Sequence, residues 1–100
     1  MSCESCDVSR HDLRGGDLRL ADLDYADLRE ARLRFAVMTG ARLDQAVLRD
    51  VILNDADLIG ASLRNAKLGW VDFAYADFGN ADLSRANLSS AQLPKGWRYG

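Results

Sequence analysis

The chain has 100 residues, of which 48% are hydrophobic, and a net charge of −2 from 15 acidic and 13 basic side chains. This length predicts one domain, and the near balance of charge argues against a dedicated binder of nucleic acid or of anionic membranes. No apolar run approaches the ~18 residues of a transmembrane helix, and the N-terminus lacks the basic start and apolar stretch of a signal peptide. We therefore expect a cytoplasmic protein without a membrane partner.

Residues 1–10 are predicted to form an N-terminal cap. In the phase of the repeat that follows, Cys3 and Cys6 both point inwards at an incomplete first coil, which favours buried thiols. A disulfide, a zinc site that includes His11 and a redox dithiol are the alternatives. A closed zinc site needs four ligands and the chain has one histidine, which is expected to be a partly exposed cap residue. A redox dithiol would precede a helix, and no pattern here predicts one.

Residues 11–93 carry a repeat of five residues. The central residue is Leu in fourteen of seventeen consecutive units, Met38 in one, and Phe73 and Phe78 in two; Ala lies two residues earlier in thirteen. In an α-helix five residues rotate by about 500°, so the centres would scatter around the cylinder. In a flat strand, successive centres would face opposite sides. A chain that bends once per unit places every centre inside, and stacked coils then form a solenoid with one continuous core.

The remaining positions of each unit are expected to face outwards or to turn. Gly and Asn recur after the centres, and both tolerate the positive φ that tight turns often require. The residue between the Ala and the centre is mostly polar, and this set includes Asp12, Asp17, Asp22, Asp27, Asp57, Asp72, Asp77, Asp82 and Asn87.

Units such as Ala21-Asp22-Leu23, Ala56-Asp57-Leu58 and Ala86-Asn87-Leu88 resemble the A(D/N)LXX pattern of the pentapeptide-repeat family. The resemblance covers about residues 11–93. It implies an all-β fold, a right-handed four-sided parallel β-helix of about four to five coils, with about twenty residues in each coil.

A period of twenty places particular residues above one another. Arg32 would stack on Asp12, and Arg42 on Asp22, as favourable cross-strand neighbours. The same period predicts one interior column that consists of Leu13, Leu33, Leu53, Phe73 and Leu93.

Residues 94–100 break the repeat and are predicted to form a C-terminal cap or tail. Pro94 removes a donor from the hydrogen-bond ladder, and an uncovered last coil would leave backbone groups unpaired. Trp97 is a candidate to cover that end. Many proteins of the family that this chain resembles dimerise there, so the resemblance implies a homodimer contact with Trp97 and Tyr99 as anchors.

No catalytic, cofactor or metal constellation is visible in the sequence. There is no G-x-S-x-G elbow, no Gly-rich phosphate loop and no second histidine, so we expect neither enzyme activity nor a cofactor. The sequence predicts a protein-binding or structural module with an unidentified protein partner. The resemblance brings one alternative, a mimic of DNA that binds DNA gyrase. Duplex DNA carries one charge per about 1.7 Å, and a short stack with a net charge of −2 falls far below that density.

Five apolar residues at outward or corner positions are predicted to gather along one edge of the coil, at the end of its first side. A contiguous apolar patch is typical of an interface, although Asp55 and Asp57 lie within this one and weaken it. The predicted interface residues are Phe35, Val37, Ile52, Ile59 and Tyr75.

Overall fold

A computed structural model describes residues 2–94, and one five-residue conformation recurs through all of them. Within this range there is neither a helix nor a strand of several residues. The sheets consist of isolated parallel bridges at every fifth residue, each joining a residue to the one twenty positions later, from Ser2↔Asp22 to Asp72↔Gln92. The described part of the chain has no helix of the length and apolarity that crossing a membrane requires.

We name the five positions of a unit the small, bridge, centre, fourth and corner residues, as in Ala56-Asp57-Leu58-Ile59-Gly60. Each centre donates its N–H to the next coil, as Leu33 does to the Ile52 carbonyl at 3.0 Å, and each bridge residue donates to the coil before. Four units complete one coil. The fold is therefore the expected right-handed four-sided parallel β-helix. Side 1 begins with residues 11–15, side 2 with 16–20, side 3 with 21–25 and side 4 with 26–30, and each recurs every twenty residues.

Every corner is a four-residue turn. The N–H of the next small residue donates to the carbonyl of the centre, for example from Ala56 to Leu53 at 3.0 Å. The corner residue has a positive φ of 58–69° throughout, at fifteen non-glycine residues and at three glycines. A left-handed conformation costs an L residue about 1–2 kcal/mol. The corner N–H in turn donates to the next coil, as Phe35 does to Asn54 at 3.1 Å, so hydrogen bonds between coils hold this conformation in place.

The centres and small residues fill the axis of the solenoid. From Ala21 to Phe73 each of them is at most 2% exposed. The predicted interior column is confirmed in its register, but its C-terminal member, Leu93, is 40% exposed and Leu13 is only partly buried. The rings of Phe73 and Phe78 meet edge to face, with centroids 4.6 Å apart. Phe78 is partly buried, whereas Phe73 is fully enclosed.

The prediction of buried thiols at Cys3 and Cys6 is wrong, because the two residues form a disulfide. Cys3 is a centre and Cys6 the next small residue, so the turn that joins them brings their Cα atoms to 5.2 Å, within the range that a disulfide spans. Both residues are partly exposed. The bond takes up both thiolates that a zinc site would need. Since reducing compartments keep such pairs as thiols, the redox state of this pair reports where the protein works.

The two predicted caps differ in what the structure describes. Residues from Ser2 onwards already adopt the repeating conformation, with Asp7 bridged to Asp27. His11 is exposed, and its Nδ1 lies 3.0 Å from the Ser9 carbonyl oxygen. Most of the predicted C-terminal cap, with Trp97 and Tyr99, lies outside the described residues.

Candidate interaction surfaces

Aspartate or asparagine at the bridge position binds the backbone of its own unit. In ten units Oδ1 accepts the N–H of the fourth residue at 2.9–3.2 Å. That N–H has no backbone partner in a neighbouring coil, so the side chain satisfies a donor that the ladder leaves open. We call this contact the Asx clamp. Its signal was present in the sequence as the recurring Asp, but its role needs the fold, because only the fold shows which N–H is open.

Three arginines of the first full coil add a second contact to the clamp. Arg14, Arg19 and Arg29 each donate from Nε and Nη2 to the carboxylate two residues earlier, at 2.6–2.9 Å. The guanidinium first, and then the backbone N–H, hold the pKa of Asp12 and of Asp17 down at about 2. These carboxylates are therefore committed to the framework of the coil.

Side 3 uses a diagonal variant of the clamp. Asp24, at a fourth position and 7% exposed, accepts the N–H of Asp44 at 2.9 Å and Nη2 of Arg42 at 2.8 Å. Asp44 repeats this one coil later, accepting the N–H of Arg64 at 3.0 Å and the hydroxyl of Ser62. Where the bridge residue of a unit is not an acid, the fourth residue of the coil before can therefore accept the open N–H of that unit.

The predicted stacking of Arg32 on Asp12 and of Arg42 on Asp22 is confirmed, although the closest ion pairs of these charges are with other residues. Bridges do join Asp22 to Arg42, yet the ion pair of Arg42 is with Asp24. Asp12 likewise pairs with Arg14 of its own unit, at 2.6 Å. The side chains reach along the unit or diagonally, because the acids in a column are already turned towards the N–H that they clamp.

The five residues of the predicted interface are distributed over sides 1 and 2: Ile52 and Val37 are bridge residues, Phe35 and Tyr75 are corners of side 1, and Ile59 is a fourth residue near the far end of side 2. Tyr75 is 83% exposed, Phe35 57%, Ile52 44% and Ile59 37%, and Val37 is partly buried. Phe35 and Tyr75 stand in the same corner column, two coils apart. We call these five residues the apolar edge.

Asp55 lies between the two aromatic corners, and the structure gives its charge a partner. Arg34 Nε is 3.6 Å from Asp55 Oδ2, and the guanidinium carbon lies 5.1 Å from the centre of the Phe35 ring. One arginine thus offsets the charge inside the apolar edge and holds Phe35 by a cation–π contact. The charge of Asp55 therefore weakens the predicted apolar interface less than the sequence suggested.

Acidic residues surround the apolar edge. Asp57, Asp72 and Asp77 flank it in the bridge columns, and each is fixed by an Asx clamp at 3.0 Å. Ile59 lies beside Gly79, where an added Cβ would be 3.8 Å from Ile59 Cγ1. The apolar residues are thus bordered by these three clamped carboxylates, and by Arg32 and Arg34 at the end nearer the N-terminus.

The pentapeptide-repeat family model matches residues 2–40, 26–65 and 66–95, with eight copies of the repeat. This chain belongs to the pentapeptide-repeat family. No curated protein sequence matches this pentapeptide-repeat protein.

Solved pentapeptide-repeat proteins share the fold. Rfr23 of Cyanothece 51142 matches with a TM-score of 0.91 and 25% identity over 92% of this chain and 63% of its own. HetL of Nostoc sp. PCC 7120, a protein involved in the regulation of heterocyst differentiation, matches with a TM-score of 0.81 and 28% identity, over 98% of this chain and 51% of its own. A thylakoid-lumen protein of Arabidopsis thaliana matches with a TM-score of 0.62 and 29% identity, over 88% of this chain and 65% of its own. The chain spans between about half and two thirds of these relatives.

A second surface of this pentapeptide-repeat protein was missed at the level of sequence. Trp70, at the corner that ends side 4, is 68% exposed and borders a groove with Arg49 and Lys67. The sequence marks Trp70 as unusual for a corner. It does not reveal the two cations beside it, since they belong to different coils and are eighteen residues apart.

Proposed function

We propose that this pentapeptide-repeat protein is a non-enzymatic binding module that holds a partner protein at its apolar edge. The observation that carries the proposal is the exposure of four large apolar side chains, by 37–83%, on two adjacent sides of a single solenoid. Scattered exposed apolar residues are normal, but a contiguous strip more often marks an interface.

The edge is also rigid, which supports binding. Phe35 and Tyr75 stand on corner residues with φ of 63°, and the N–H of Phe35 is bonded to the next coil. Side chains that are placed in advance lose less entropy when a partner docks. Because Asp57, Asp72 and Asp77 surround the strip, the matching partner surface has an apolar centre and lysine or arginine at its rim.

The chemistry of the surface supports a role without catalysis. Ten bridge-position side chains are engaged in Asx clamps, so the repeat uses for its own backbone the acids that a catalytic site would need. Within residues 2–94 no group of three His, Cys, Asp or Glu side chains is placed to hold a metal ion.

The charge columns do not favour the alternative, a DNA mimic. The bridge column of side 1 consists of Asp12, Arg32, Ile52 and Asp72, so two of its four residues are not acidic. In the column of side 2, Val37 interrupts the aspartates in the same coil as Arg32. Coils are about 4.8 Å apart, so even an unbroken column would carry fewer charges than duplex DNA, with one per about 1.7 Å. Absence of inhibition of gyrase supercoiling would agree with this. A homodimer through Trp97 and Tyr99 remains a separate proposal, tested by truncation after residue 94.

The test of the apolar edge is a double substitution, Phe35→Ser with Tyr75→Ser. We expect the folded variant to lose capture of the partner that the unchanged protein retrieves from its native cell. Leu20→Ser with Tyr25→Ser is the matched control, since both are exposed corner residues with positive φ on other edges. If the first variant folds and retains both the partner and any self-association, the apolar edge is not the binding surface.

A further inference from the structure

Side 4 carries a shallow groove of about 610 Å³ that is lined by Arg29, Val47, Arg49, Lys67, Gly69 and Trp70, among others. It lies on the side opposite side 2, away from Val37 and Ile59 of the apolar edge. Two of its cations, Arg49 and Lys67, form no ion pair within residues 2–94.

Arg49 is the first of these cations. Arg14, Arg19 and Arg29 occupy the same fourth position, and each is held by an aspartate two residues earlier. At Arg49 that place is taken by Val47. Within residues 2–94 no carboxylate lies within 4 Å of its guanidinium, although Asp50 is its neighbour in sequence.

Lys67 is the second cation, and it lies at the diagonal position from which a residue can pair with Arg49. A bridge residue and the fourth residue eighteen positions earlier are diagonal neighbours. On side 3 this diagonal joins Arg42 to Asp24 at 2.8 Å. On side 4 the same diagonal relates Lys67 to Arg49, and both line the groove, so two positive charges occupy the positions where side 3 has an ion pair. An anion that binds between them would be attracted by both charges.

The floor and rim of the groove suit an extended occupant. A Cβ added at Gly69 would lie 3.9 Å from Arg49 Cγ and 3.6 Å from the Ser89 carbonyl oxygen, so the stem of Arg49 lies against bare backbone. Trp70 rises beside this floor from its corner and is 68% exposed. An open floor encloses little of a small molecule, whereas a peptide strand can lie along it.

We propose that the groove on side 4 binds an extended acidic segment of a partner protein. A carboxylate of that segment lies between Arg49 and Lys67, and an apolar or aromatic side chain packs against Trp70. Charge complementarity supports this occupant, since arginine binds carboxylates through paired hydrogen bonds and tryptophan is common at the centres of interfaces. Of the nearby carboxylates, Asp27 is held by Arg29 and Glu30 by Arg10, whereas Asp50, beside Arg49 and Trp70, is in no ion pair within residues 2–94.

A single substitution tests the proposal without damaging the coil. Val47→Asp restores the clamp pattern of Asp27 with Arg29 and neutralises Arg49 from within the chain. Gln92→Asp is the matched control, a bridge-position substitution on another side of the coil with the same change in charge. The probe is a fluorescein-labelled peptide of alternating glutamate and leucine, titrated with the full chain by fluorescence anisotropy. We expect Val47→Asp to weaken binding at least about tenfold, and Gln92→Asp by less than about twofold.

A second pair of variants keeps the test independent of how Val47→Asp folds. Arg49→Gln with Lys67→Gln removes both groove cations, whereas Arg32→Gln with Arg85→Gln removes two cations from other surfaces. We expect a loss of about tenfold or more for the first pair and less than about twofold for the second, a difference that net charge alone cannot produce.

Several outcomes would overturn the proposal. Equal losses in both pairs of variants would show that the peptide responds to net charge. Displacement of the peptide by inorganic phosphate at similar concentrations, or tighter binding of a short duplex DNA, would show a general anion site instead of a site for an acidic segment. Absence of binding to the unchanged protein at about 1 mM peptide, an affinity near −4 kcal/mol, would exclude the site altogether.

Discussion

Replacing a clamp residue tests the most regular contact of the structure. Asp57 Oδ1 accepts the Ile59 N–H at 3.0 Å, and Asp57 lies in the middle of the stack. Asp57→Ala removes one hydrogen bond and leaves the Ile59 N–H to be satisfied by water, so it should cost about 0.5–1.5 kcal/mol. For a domain of this size, 1 kcal/mol lowers Tm by about 4–8 °C. Thermal unfolding followed by far-UV circular dichroism measures the shift.

Two further variants separate the acceptor from its charge. Asp57→Asn keeps an acceptor at the same place, as Asn87 does for Ser89 at 3.0 Å, and should be as stable as the unchanged protein or slightly more so. The gain would come from relief of repulsion with Asp77 in the next coil. Lys67→Ala removes a bridge-position side chain that clamps nothing and should leave Tm within a degree or two. If Asp57→Asn loses as much stability as Asp57→Ala, the clamp is not what stabilises the unit.

Three other predictions follow from burial, backbone and charge. Leu53→Ala should cost about 2–5 kcal/mol in urea unfolding, because this centre is 0% exposed between stacked neighbours; a cost below 1 kcal/mol would contradict close packing. Gly60→Ala and Gly40→Ala should each cost about 1 kcal/mol for a φ of +69° and +68°, because the Leu20 methyl that a Cβ at Gly40 would approach at 2.8 Å belongs to an exposed side chain that can rotate away; no loss of stability in either variant would count against the left-handed corner. The pKa of Asp17 is about 2 against an ordinary 3.8, so its pair with Arg19 stabilises the fold above pH 3.8 and the stabilisation is lost as pH falls towards 2. Arg19→Gln should raise that pKa in an NMR titration.

The inside of the fold could be predicted from the sequence because its rule is strictly local. A small residue and a large apolar centre recur in every unit, so one bend per unit buries all of them, as Leu53 and Phe73 show at 0% exposure. The number of sides is not in that rule, and the period of twenty came from the family resemblance. Corner conformation was predictable only in part. Glycine suggests positive φ at Gly60, but nothing in Phe35 or Trp70 does, and both adopt it because the coil bonds their N–H groups.

The outside was less predictable because its contacts are made across coils and along diagonals. The exposure of Phe35, Ile52 and Tyr75 could be predicted, since it depends only on the position of each residue in its unit. The ion pair of Arg42 could not, because Asp24 lies on a diagonal eighteen residues away, whereas the column predicts only that Asp22 is a neighbour. The disulfide of Cys3 with Cys6 required the geometry of the first turn, in which a centre and the following small residue approach to 5.2 Å between Cα atoms.

The core of the chain repeats every five residues, whereas its surface columns repeat every twenty. Deletions of different lengths therefore affect the core and the surface differently. Deleting one unit, for example residues 46–50, leaves the core pattern unbroken, since every later centre still falls inside. It nevertheless rotates all later units by a quarter turn, so that Lys67 leaves side 4 and Tyr75 leaves its column with Phe35. Deleting a whole coil of twenty shortens the stack and preserves every column. Loss or gain of a single unit therefore changes which residues share each outer surface of a pentapeptide-repeat protein, whereas the pattern of its hydrophobic core stays the same.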